Sequence, residues 1–149
     1  ALKAALEKQN EINITPRLIA ELICSIRQAK LPDPEKEPNV GSFFKNPIIS
    51  KKTAEALRVQ HAELVTYPYD KFQVKVPAAW LIERAGWKGS KMEGCGVHPK
   101  HALVLTHSGN ASGQQLLTLA RKITIDIEQI FNIVLEIEPR ILGTPLDIE

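Results

Sequence analysis

The stretch Gly41-Ser42-Phe43-Phe44-Lys45-Asn46-Pro47 sets a hydroxyl, an ammonium and an amide around two adjacent aromatics. Phe43, with Ile48 and Ile49 just beyond, suits a core. Ser42, Lys45 and Asn46 are harder to explain there. In an extended chain Ser42, Phe44 and Asn46 share one face, while Phe43, Lys45 and Pro47 share the other. That mixture fits a strand whose end opens into a polar site. Gly41 before the serine lets backbone or ligand approach closely, and Pro47 ends backbone pairing or sets it at an edge. The same residues also fit an ordinary edge strand with Ser42 as a solvated hydroxyl, and one short motif does not separate the two.

Other reactive side chains are scattered along the chain. Glu136, Glu138 and Arg140 fall on one face of a C-terminal segment, where Glu138 and Arg140 can pair as a surface strand pair. Lys30 ends a helical run, where a cation complements the helix dipole. Trp87 to Val97 contains Gly89, Gly94 and Gly96 beside Lys88 and Lys91. This spacing matches neither a phosphate-binding loop nor a dinucleotide fingerprint, and a turn plus a strand with close backbone approach explains it. Cys95 with His98 makes a conceivable nucleophile and base, but no protease or nucleophile-elbow pattern surrounds them.

The elements that must hold these residues come from one domain's worth of chain. It has 149 residues, 44% hydrophobic and 24% charged, which is ordinary globular composition. A net charge of +2 with interspersed signs lacks the clustered basic footprint of a nucleic-acid binder. Two cysteines make no disulfide framework, which points to a reducing compartment. The four histidines lack metal-ligand spacing. No apolar run approaches a membrane span, and no signal peptide is visible. The chain starts at Ala1 inside an element, which reads as a fragment or a processed chain.

Ala1 to Gln9 is rich in helix formers. Thr15 and Pro16 open a helix over 15–29, and Leu18, Ile19, Leu22, Ile23 and Ile26 repeat at helical spacing, so it should bury one face, with Cys24 as inert packing. Pro32, Pro34 and Pro38 then force an extended, polar crossover from Leu31 to Val40, the best domain boundary. Ser50 caps a short surface helix reaching His61, with Ala54, Ala56 and Leu57 as its apolar side. Tyr67-Pro68-Tyr69 is a stiffened loop. Phe72, Val74 and Val76 alternate with Gln73 and Lys75 as a half-buried strand. Ala78 to Gly86 is helical, with Trp80, Leu81 and Ala85 inward. Ala102 to Leu105 reads as a central buried strand. Ser112 and Gln115 form a capping box opening the longest helix, whose apolar residues run from Leu116 to Phe131. Ile133 to Leu142 reads as a final strand, and Gly143 to Glu149 as a tail. Helix and strand alternate, which implies an α+β class: a small mixed sheet with covering helices.

The motif Gly41 to Pro47 resembles the signature opening the substrate domain of UDP-N-acetylenolpyruvoylglucosamine reductase, a family of flavin enzymes of bacterial peptidoglycan precursor synthesis. Further matches follow in order: Lys30-Leu31-Pro32-Asp33-Pro34, Tyr67-Pro68, Ala79-Trp80-Leu81-Ile82, Lys88-Gly89, Val97-His98 with Ala102-Leu103-Val104-Leu105, then Leu135-Glu136, Glu138, Arg140 and Gly143. They span about residues 15 to 143 and resemble the longer variant of the family, in which a tyrosine closes over the substrate.

The resemblance implies reduction of the enolpyruvyl ether of UDP-N-acetylglucosamine enolpyruvate to a lactyl ether, with FAD reduced by NADPH. It implies Ser42 as the proton donor to the enol and Glu138 beside that enol, polarising it or relaying the proton. It implies Lys30, Asn46, Tyr67 and His101 as substrate contacts: Lys30 and Tyr67 for the diphosphate and closing loop, Asn46 for the uridine side. At His101 the longer variant often has glutamine, and the sequence Leu-Glu-Ile-Glu-Pro-Arg moves a proline past the acid. The family's flavin domain is N-terminal. Residues 1–30 would be its last remnant and 31–149 the substrate-binding domain, so the missing flavin domain is an implied partner and this chain alone should be inactive. No metal, no nucleic acid and no membrane insertion are implied, and the cytoplasm is the expected compartment. The competing readings are a non-enzymatic nucleotide-sugar-binding module of the same fold, and a plain interaction domain.

Overall fold

The computed structural model describes residues 2–9 and 14–143. Two helices come first, α1 (Leu2–Gln9) and α2 (Pro16–Lys30). Thr15 Oγ1 accepts the Leu18 N–H at 3.2 Å, and Pro16 takes the first helical position, where a missing N–H removes no bond. The expected buried face of α2 is absent. No residue of α2 is buried; Leu18, Ile19, Leu22 and Ile26 are half-buried, and Ile23 and Cys24 are exposed. The stripe is present, but the partner that α2 packs against is α1, an element of only 8 residues.

The crossover is not wholly loose. Asp33 accepts the amides of Lys36 and Glu37 through its carbonyl and that of Glu35 through its carboxylate. It delivers the chain to β1 (Asn39–Ser42), the edge of a four-stranded sheet ordered β1-β7-β6-β5 with β7 (Val104–His107), β6 (Cys95–Val97) and β5 (Lys91–Met92). Asn39 pairs with Thr106 but Ser42 with Val104, so β1 carries one extra residue. Gly41, at φ 78°, absorbs that bulge. A second sheet, ordered β2-β4-β3, joins β2 (Ile48–Ser50), β4 (Gln73–Lys75) and β3 (Tyr67–Pro68). The α+β class holds, but in place of one small mixed sheet there are two, and every ladder in both is antiparallel.

Helix α3 (Lys51–Gln60) starts at Ser50, whose Oγ accepts the Thr53 N–H at 3.0 Å. Phe72 differs from expectation: it is 71% exposed, because Asp70 Oδ1 takes its N–H in a turn and the strand begins only at Gln73. Helix α4 (Ala78–Arg84) buries Ala78, Leu81 and Ile82, leaving Trp80 half-buried. Helix α5 (Gly113–Phe131) has the full capping box of Ser112 and Gln115 and ends at Asn132 in the left-handed region. It lays Leu119, Ala120, Ile123, Ile127 and Phe131 on the core with Phe44, Val97 and Leu105. After it, Ile133 and Leu135 are buried while Val134, Glu136 and Glu138 are exposed. This alternation fits the expected strand, yet the segment makes only an isolated bridge, Phe44 to Ile137. The expected tail beyond Gly143 lies outside the described residues.

Candidate functional site

Ser42 is the exposed last residue of β1, directly before the buried pair Phe43 and Phe44. Simple alternation would bury only one of two neighbours. Here the chain changes pairing partner between them. Phe43 donates its N–H to Leu103 O at 2.8 Å beside β7, whereas Phe44 bridges Ile137 on the C-terminal segment. The two rings meet edge to face, 5.4 Å apart. Phe43 O in turn accepts the Glu138 N–H at 2.9 Å. The two residues named for proton chemistry, far apart in sequence, are thus one bonded position apart across the bridge. The Glu138 carboxylate has no hydrogen-bond or ion-pair partner among the described residues, and no ion pair joins it to Arg140.

Asn46 has a structural duty. Its Oδ1 accepts the Ala78 N–H at 2.8 Å, at the start of α4, where Pro77 as N-cap offers no side-chain acceptor. That bond orients the amide: oxygen toward α4, Nδ2 left as the donor. Lys45 pairs with Glu136 across the bridge.

His101 lies in the turn between β6 and β7, half-buried, with Nδ1 enclosed and unpartnered. Burial lowers its pKa, and the charges of His98, Lys30 and Lys88 push the same way. Lys30 ends α2, and Lys88, in the turn after α4, donates to Glu83 Oε1 at 2.8 Å. In the sequence Lys88 is marked only by the Lys88-Gly89 pair, which no phosphate-binding fingerprint surrounds. Tyr67 stands apart on the second sheet, 57% exposed, opposite Lys75. No hydrogen bond or ion pair among the described residues ties it to Ser42, Glu138 or Lys30.

Cys95 and His98 do not form a nucleophile and base. Burial raises the Cys95 pKa, with the Glu93 charge adding to it. The buried His98 instead accepts the Lys100 N–H at Nδ1 and turns Nε2 toward Glu37, 3.5 Å away. A cavity of about 710 Å³ opens between the crossover and the β5–β6 hairpin, lined by Glu37, Lys91, Cys95, Thr106 and His107 among others. It contains none of the six predicted site residues.

A model of the UDP-N-acetylenolpyruvoylglucosamine reductase C-terminal domain matches residues 33–142. The chain belongs to that family. UDP-N-acetylenolpyruvoylglucosamine reductase of Pseudomonas syringae pv. syringae is 47% identical over 140 residues, 94% of this chain and 41% of that protein. The reductase of a Shewanella species is 44% identical over 147 residues, 96% of this chain and 43% of its own length. That of Xylella fastidiosa is 46% identical over 129 residues, 86% of this chain and 37% of its own. The chain thus spans about two-fifths of the length of the curated reductases it matches. The matched domain begins within the crossover, after Lys30. No described helix is long and apolar enough to cross a membrane.

Proposed function

We propose that this chain is the substrate-binding portion of a UDP-N-acetylenolpyruvoylglucosamine reductase acting in the cytoplasm in peptidoglycan precursor synthesis, with Ser42 as proton donor and Glu138 as its companion. The observation that carries this reading is the Glu138 N–H to Phe43 O bond, which ties the backbone of Glu138 to the residue that follows the exposed Ser42. Reducing the enolpyruvyl ether adds a hydride to the terminal vinyl carbon and a proton to its neighbour. Ser42 Oγ–H supplies the proton, and Glu138 polarises the enol or returns a proton to the serine. A serine is a poor acid in water, so it acts only when held against the enol in a closed, dry pocket.

Lys30 and His101, with Lys88, suit the diphosphate. The oriented Nδ2 of Asn46 suits a uridine-side acceptor, and the exposed Tyr67 is free to close over the sugar nucleotide. FAD reduced by NADPH would supply the hydride. The described residues do not fit a flavin: a flavin diphosphate favours a glycine turn leading to a free helix N-terminus. Here Gly94 and Gly96 belong to the β5–β6 hairpin, and Ser112 and Gln115 close the start of α5. We assign the flavin to the remaining length of the relatives, with residues 1–30 as the end of that part and 31–149 as the substrate domain.

In the full-length protein, Ser42→Ala is expected to leave flavin bleaching by NADPH intact and to cut substrate reduction by about 10² or more, the usual contribution of a positioned acid. Unimpaired substrate reduction would overturn the role of Ser42. UDP-sugar binding without any flavin chemistry in the full-length protein would favour a binding module instead.

A further inference from the structure

We propose that Lys45 is a positioning residue for Glu138, holding the segment that carries it against the Ser42 strand through an ion pair with Glu136. The proposal rests on the reading of Glu138 given above.

The segment after α5 is anchored in the core by Ile133 and Leu135 but is lightly paired beyond them. Its sheet bonding consists of one isolated bridge, Phe44 to Ile137, flanked by Lys45 N–H to Glu136 O and Glu138 N–H to Phe43 O, each 2.9 Å. This is the antiparallel pattern around a non-hydrogen-bonded pair, one rung of a ladder that does not continue. Ile137 is only half-buried, and the residues on either side of it are exposed. In such a pair, residues directly opposite share a face. Lys45 therefore faces Glu136, with Glu138 its diagonal neighbour on the same side, within reach of a long side chain.

Lys45 Nζ donates to Glu136 Oε1, and among the described residues this is the sole hydrogen bond or ion pair between side chains of the two segments. Lys45 and Glu136 are half or more exposed. As a contribution to global stability such a pair is worth little. Its leverage is local: it sits one rung from the acid and spans the two backbones that must stay in register. A reacting group displaced by about 1 Å can lose a hundredfold in rate. A clasp too weak to matter for folding can therefore matter for turnover.

The test uses the full-length protein. Lys45→Met should lower kcat about tenfold, a fraction of what gross misplacement costs, while KM stays within about twofold. Lys45→Arg, which keeps the cation, should restore most of the rate. Hydrogen exchange at the Glu138 amide should quicken about fivefold in Lys45→Met, the most an exposed pair supplies. Three results would overturn the proposal: unchanged kcat, a rise in KM that accounts for the whole loss, or unchanged exchange at Glu138. A Glu138→Gln protein of full activity would instead sink the reading on which the proposal rests. The exchange measurement still judges the clasp separately, because it reads a backbone bond and not turnover.

Discussion

Helices α2 and α5 both carry an apolar stripe at helical spacing and both begin with a hydroxyl cap. Yet α5 buries five residues and α2 buries none. The difference lies in what covers them. Two sheet strands and α4 lie against α5, directly or through shared core residues, so Leu119, Ile123 and Ile127 reach zero exposure. α2 meets α1, and its Ile23 and Cys24 remain open. Amphipathic spacing reports that a helix has a side to hide; it carries no information about whether the hiding place belongs to the same stretch of chain.

The two cysteines give the widest separation between these regions. Cys24 is exposed on α2; Cys95 is buried beneath α5 on β6, its thiol held protonated by burial and by Glu93. A thiol reagent should label Cys24 far faster, because Cys95 is 4% exposed and its thiol pKa is raised. Comparable rates in the folded chain would break the comparison. Next in size are core truncations. Ile123→Ala should cost about 2–5 kcal/mol in denaturant unfolding, whereas Ile23→Ala should fall within about 0.5 kcal/mol. A large loss at Ile23 would mean that α2 is covered after all.

The caps sharpen the contrast at the smallest scale. Ser112→Ala should lower global stability by about 1 kcal/mol, since α5 unfolds with the core. Thr15→Ala removes the same kind of bond, at 3.2 Å to Leu18 N, but should fray α2 and leave the global midpoint unmoved. Circular dichroism against a core probe separates the two: coincident shifts in both signals for Thr15→Ala would show α2 to be part of the cooperative unit.

What proved legible in the sequence was local. Thr15-Pro16, Ser50 and Ser112 start helices where they should, because a cap is decided by side chains within three or four residues of the amides they satisfy. The alternation of Ile133, Leu135 and Ile137 was visible too, though not that it yields one bridge. Phe72 is misleading in the sequence, because the apolar alternation runs through it while the Asp70 turn delays the start of the strand to Gln73.

The site divides in the same way. Ser42, Lys45 and Asn46 stood out by their type beside two phenylalanines. Their work depends on residues remote in sequence: Asn46 on Ala78, Lys45 on Glu136, Ser42 on a neighbour fixed through Phe43 and Glu138. The sequence by itself determined the helix starts, the α+β class and the residues worth suspecting, since propensity, capping and periodicity act over a turn or a strand. The fold alone settled that the Glu138 backbone would pair beside the Ser42 strand, that Asn46 would accept the Ala78 N–H, and that no residue of α2 would be buried. Those outcomes depend on contacts between distant segments, which form when burial and long-range pairing outweigh the entropy of bringing such segments together.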